Sequence, residues 1–207
     1  RFDGGSWIFV LGALVLFGFG LHRFVRFWRA RQSARDGLLA ERFTGMLLNR
    51  LGAQGCTVMH DLRCEGFNID HVVIAPRGVY AVETKSFRKP KGKGGRDDRS
   101  YRVGYDGAML RFPDFATSAP IEQAVQQAQW LQRHLREVLH REFPVIPAVS
   151  LPGWFVDRDE TAKRAEVVVF TPVGKGPEFM AWQPERIAED QRHLIAQALA
   201  LRYPEVE

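Results

Sequence analysis

Hydrophobic positions change their spacing several times along this chain, and each change marks an element. Residues 4–21 are uncharged and apolar, with Trp7 near the start and Trp28 beyond the end like interfacial anchors. Such a run is long enough for a membrane-spanning helix, which needs ~17–25 residues; a helix buried in a soluble core is the other reading. Over residues 36–51 the spacing becomes helical. Leu39, Phe43, Met46, Leu47 and Leu51 recur on one side, Glu41 lies off that stripe, and Gly52 stops the run. Two runs rich in Val, Ile and Tyr follow, at 69–75 and 79–87, joined at Pro76-Arg77-Gly78, and read as a hairpin. Val72, Ile74, Val79 and Ala81 fall on one face and Ile69, Val73, Tyr80 and Val82 on the other. Strands apolar on both faces belong to a sheet covered by helices on both sides.

Residues 118–141 form the strongest soluble helical pattern. Ser118 stands at a capping position, Pro120 suits the first turn, and Ile121, Val125, Ala128, Leu131, Leu135 and Val138 make the stripe. Gln123 and Gln127, one turn apart, share a different face. Residues 145–156 and 166–171 read as further strands, 178–182 as a short one. Pro184 is expected to open a last helix, with Ile187, Leu194, Ile195 and Ala198 inward. The order describes one α/β domain over 36–207, large enough for one core. An apolar anchor with its basic flank is expected at 4–28 and a basic juxtamembrane linker at 29–35.

Charge sharpens this division. Residues 1–35 hold six Arg and one Asp, whereas residues 36–207 hold 23 basic and 23 acidic side chains. The basic excess therefore belongs to the N-terminal segment and favours anionic lipid. Arg23, Arg26, Arg29, Arg31 and Arg35 follow the apolar run, the reverse of a secretory signal's order. The positive-inside tendency then predicts a single-pass membrane protein with its domain on the cytoplasmic side. Within the neutral domain one stretch is basic. Arg88, Lys89, Lys91, Lys93 and Arg96 lie in a Gly-rich segment against Asp97 and Asp98. They are candidates to grip a nucleic-acid backbone without reading bases; a solvated loop would have the same composition. Cys56 and Cys64 lack His or Cys partners at zinc spacing and are expected to be reduced thiols.

The hairpin also carries the candidate chemistry. If its loop is Pro76-Arg77, residues whose numbers sum to 153 face each other, so Asp70 opposes Glu83 and Asn68 opposes Lys85. Opposed side chains have Cβ atoms ~4.5–5.5 Å apart, close enough for two carboxylates to share a divalent cation. Lys85 projects from the same face as Glu83. A three-residue loop would send Asp70 to the other face, and a cross-strand ion pair at the sheet end needs no metal. His71 points away from Asp70's face and is expected to pack or to hydrogen-bond behind the site.

Asp70 followed by Glu83-Thr84-Lys85 resembles the Asp…Glu-x-Lys core of the restriction-endonuclease-like superfamily. The wording is closer still to its nuclease-related domain family, marked by an I-D-H step, a G-V-(F/Y)-x-(V/I)-E-T-K strand and a later Pro-x-x-Gln. This chain has Ile69-Asp70-His71, Gly78-Val79-Tyr80-Ala81-Val82-Glu83-Thr84-Lys85 and Pro120-Ile121-Glu122-Gln123. The similarity spans roughly residues 36–141. It departs at Asn68, where the family usually has Gln, and at Ala119, where Asn is usual. The resemblance implies a restriction-endonuclease-like fold, a mixed central β-sheet flanked by helices, here preceded by one transmembrane helix. It implies a Mg²⁺- or Mn²⁺-dependent nuclease acting on DNA ahead of RNA, with Asp70 and Glu83 as metal ligands and no organic cofactor. Lys85 would position the nucleophile or neutralise the transition state. Glu41, in the family's Gly/Ala-Glu-Arg step, would add a ligand, and Gln123 would orient water or phosphate. Two other readings stand beside it: a catalytically silent, membrane-tethered nucleic-acid-binding or scaffolding module, and a membrane-surface signalling protein without nucleic acid.

Overall fold

Strands that are apolar on both faces must be covered twice, and the central strands of this fold are. The computed structural model describes residues 6–89, 101–182 and 184–203. It contains two compact units, Arg1–Leu39 and Ala40–Glu207.

In the first unit the chain is helical from Ser6 onward, as part of α1 (Ser6–Leu48). Its apolar side chains point all round the helix, and Phe9, Leu14, Leu16, Phe17 and Phe19 are all exposed. The helix is long and apolar enough to cross a membrane.

The second unit holds two mixed sheets flanked by helices. The larger has the order β1 (Thr57–Cys64), β2 (Phe67–Ala75), β3 (Gly78–Thr84), β7 (Val145–Ser150), β9 (Val168–Phe170). The first three strands are antiparallel neighbours, while β7 runs parallel to both β3 and β9. A parallel neighbour needs a crossover, and α2 (Ala119–Leu139) supplies it between β3 and β7. On one face Val72, Ile74, Val79 and Ala81 pack with Ala128, Leu131 and Leu135 of α2 and with Ile195 and Leu199 of α3 (Glu189–Arg202). On the other, Val73, Tyr80 and Val82 pack with Leu48, Leu51, Phe170 and Met180. The smaller sheet has the order β6 (Ala116–Thr117), β5 (Leu110–Arg111), β4 (Arg102–Tyr105), β8 (Phe155–Arg158). It packs through Val103, Tyr105 and Leu110 onto Ile121, Ala124 and Val149.

The hairpin takes the two-residue loop. Its pairs run from Ala75↔Gly78 to His71↔Val82, all in the expected register. A Cβ on Gly78 would stand 2.9 Å from Ile146 Cδ1 and 3.1 Å from the Pro144 carbonyl oxygen, so glycine lets β7 approach.

Several expected details are corrected. Ile69 joins the cluster of Val72 and Ile74, not that of Val73. Met59 and Leu62, three residues apart on β1, likewise share that cluster. Strict alternation would separate residues three apart. The phase reverses in both strands at Asp61 and Asp70, where the ladder omits one pair and Asp61 takes a left-handed φ of 49°.

The buried stripe near the end of α1 is Ala40, Thr44, Leu47 and Leu48, continued by Leu51, whereas Leu39, Phe43 and Met46 are exposed. Small residues win that face because Gly45 lies against the His60 and His71 rings, where a Cβ would meet them at 3.1–3.2 Å. The stretch 145–156 is two strands in different sheets, with a turn between them. Glu178–Ala181 is a 3₁₀ turn, not a strand, and α3 starts at Glu189, five residues past Pro184. Leu194 and Val138 are exposed.

Candidate active site

Asp70 on β2, Glu83 at the end of β3, Lys85 just beyond it, Glu41 on α1 and Gln123 on α2 line one open cavity of about 670 Å³. The hairpin register delivers the first three, because Glu83 and Asp70 lie one step past the last ladder pair, His71↔Val82. There Asp70 bonds to backbone: its Oδ2 accepts the Thr84 N–H at 2.7 Å.

Glu83 is 2% exposed and both its oxygens are engaged. Oε1 pairs with Lys85 Nζ at 2.5 Å, and Oε2 accepts from Gln127 Nε2 at 2.6 Å. Gln127 also donates to the Asn68 carbonyl at 3.1 Å, which ties α2 to both strands of the hairpin. A buried carboxylate is tolerable only when paired and hydrogen-bonded, and Glu83 is both.

The neighbouring carboxyls show the strain of crowding. Burial pushes Asp70 up to about 7, and the negative charges of Glu83 and Glu41 push the same way, against the Thr84 N–H and Lys85. Glu41 is raised by burial first, then by Glu83 and Asp61, with Lys85 opposing. Behind this cluster, His71 is buried with its Nδ1 2.9 Å from that of His60, and burial followed by the His60 charge lowers it to about 3. His71 is therefore neutral at ordinary pH. Both cysteines are free thiols, raised to about 11 by burial.

The residues suit a hard divalent cation by chemistry. Three crowded carboxylates face one ammonium, and Thr84 Oγ1 and Gln127 Oε1 are buried without hydrogen-bond partners. Anionic oxygen donors are what Mg²⁺ and Mn²⁺ take. Among the described residues, no three His, Cys, Asp or Glu side chains stand assembled as a metal cage. Lys85, whose side chain is 33% exposed, is the Glu83 partner with room to move.

Arg88 and Lys89 are exposed just past Lys85, and Lys89 Nζ lies 5.5 Å from the Tyr101 ring centroid. Lys91, Lys93 and Arg96 lie outside the described residues. Sequence reasoning passed over Gln127 in favour of Gln123, although its spacing carries the signal. Ala124, Gln127, Ala128 and Leu131 follow the three-four rhythm of the buried face.

The family model described as the nuclease-related domain matches residues 36–152, more than half of the chain. No curated protein and no solved structure matches it. With the matched segment running through α1, the hairpin, α2 and β7, the chain belongs to the nuclease-related domain family.

Proposed function

We propose that this protein is a membrane-anchored, metal-dependent phosphodiesterase acting on nucleic acid. The observation that carries the reading is the convergence of Asp70, Glu83, Glu41 and Lys85 on one open cavity, two of whose carboxyls are raised by burial and then by neighbouring negative charge. Asp70 and Glu83 would hold the cation, with Glu41 beside them. A bound Mg²⁺ or Mn²⁺ supplies Lewis-acid stabilisation of the phosphoryl oxygens and a more acidic water. Lys85 offsets negative charge gathering on the phosphate. Gln127 fixes the Glu83 carboxylate through Oε2, and Gln123 reaches the cavity from the same helix. Arg88 and Lys89 grip the backbone beyond the reacting bond.

The apolar helix would insert in the bilayer with Arg23, Arg26, Arg29, Arg31 and Arg35 against anionic lipid on the cytoplasmic side. A second reading, a silent nucleic-acid-binding module, is favoured by one feature: both Glu83 oxygens are already engaged by protein. Cleavage of labelled DNA and RNA by the full chain in detergent decides between them. Expected are cleavage with Mg²⁺ or Mn²⁺, its loss in EDTA and in Asp70→Ala, and a drop on the order of a hundredfold in Lys85→Ala. A folded wild type that neither cleaves nor binds metal would end the enzyme reading.

A further inference from the structure

Phe87, Phe112, Phe115 and Trp154 form one aromatic group that starts two residues past Lys85. Phe112 and Phe115 close a tight turn, the Phe112 N–H donating to the Phe115 carbonyl at 2.8 Å. Their rings stack with centroids 4.6 Å apart and planes 14° from parallel. Phe87 touches both, at 4.6 and 5.4 Å, and Trp154 meets Phe112 edge-on at 4.8 Å. The Trp154 indole N–H is held by the Phe87 carbonyl at 3.1 Å. Phe112 is buried, yet Phe115, the end of the stack, is 42% exposed. Close by in the chain, Tyr101 is 36% exposed beneath the Lys89 ammonium.

Single exposed apolar residues are ordinary. This ring differs because it is already stacked on Phe112 and touches Phe87, which is followed in the chain by the exposed Arg88 and Lys89. An aromatic face offered this way suits an unpaired base, whose own faces are free, whereas bases inside a duplex are covered by their neighbours. Asp114 adjoins Phe115 in the turn, so the attraction at this ring is stacking, with the cations standing at Arg88 and Lys89. Phe87 lies at most ~7 Å along the chain from Lys85, about two base steps of 3.4 Å. A strand reaching from these aromatics to the Lys85 cavity would therefore need to span only a few nucleotides.

We infer that Phe115 is a stacking platform for unpaired bases, and that the nucleic acid entering the Lys85 cavity is single-stranded. This rests on the nuclease reading for what the cavity does, but binding to the platform can be measured without chemistry. The experiment is fluorescence anisotropy of the full chain in detergent with EDTA, using a labelled single strand in DNA and RNA forms and a blunt duplex of the same sequence. The single strand is expected to bind at least about tenfold tighter than the duplex. Phe115→Leu should weaken single-strand binding by roughly tenfold, within the range of one lost base stack, and Phe115→Trp should restore it. Duplex binding should change in neither variant. Equal binding of strand and duplex, no binding of either, or a Phe115→Leu protein of unchanged stability that binds as wild type would overturn the platform. Cleavage with Mg²⁺ in the same samples separates the two readings. Duplex cleavage without strand preference would sink the platform and spare the nuclease, whereas strand preference without cleavage would do the reverse.

Discussion

Asp70 is the residue at which the electrostatics of the site become measurable. Its folded carboxyl keeps its proton to about pH 7, whereas its ordinary value is 3.8. Between those values the folded state binds more protons, so stability falls as pH rises through the window and is fully present only below it. Asp70→Asn removes that penalty. In EDTA at pH 8 the variant should be more stable than wild type by roughly 1–3 kcal/mol, since one pKa unit is worth about 1.4 kcal/mol, and the gain should vanish near pH 4. Mg²⁺ should raise the wild-type unfolding midpoint at pH 8 and leave that of Asp70→Asn unchanged; thermal melts at the two pH values check both. Gln127 offers a second test. Gln127→Leu strips a buried carboxylate of a donor and should lower stability by about 2–4 kcal/mol in urea titrations. The loss of Glu83 alignment should also reduce metal affinity by about ten- to a hundredfold.

At the scale of elements, the reversal of phase in β1 and β2 matters most. It puts Leu62 and Ile69 in the same cluster as Met59 and Val72. Asp61 makes the reversal affordable: it holds a left-handed backbone, accepts from Asn68 Nδ2 at 3.0 Å and pairs with Arg63. Asp61→Val should be destabilising by about 1–3 kcal/mol, because a β-branched residue resists that conformation. Asp61→Gly should be nearly neutral. Equilibrium urea unfolding with constant slope distinguishes the two.

For the whole molecule, the apolar run of α1 and the balanced charge of residues 36–207 point to different surroundings. A helix spanning a bilayer resists salt, whereas attraction of the five arginines to anionic lipid, worth roughly 1 kcal/mol each near the surface, does not. In vesicle flotation the full chain should remain membrane-bound at high salt. Replacing Arg23, Arg26, Arg29, Arg31 and Arg35 by Gln should abolish any preference for anionic over neutral vesicles without releasing the protein. Release of the wild type by salt alone would contradict insertion.

Local rules made part of this protein legible from its residues. The apolar run, the hairpin with its Pro76-Arg77 loop and the α2 stripe were readable because each depends on spacing along one segment. The I-D-H and E-T-K strands pointed to the family through that same hairpin. Short strands such as β5 and β6 were not readable, since two residues carry no periodicity and each exists only because a neighbouring strand lies beside it, β4 beside β5 and β5 beside β6. The face that the end of α1 buries was misjudged for a related reason. Apolarity favoured Leu39, Phe43 and Met46, but the buried face is set by Gly45, which lets the helix approach His60 and His71, and by Thr44, which hydrogen-bonds Ser150. Tertiary structure alone decided that Gln127 holds Glu83, and that Phe115 ends a stack against Phe87. Both are contacts between segments far apart in the chain, set by how α2 and the smaller sheet pack on the hairpin.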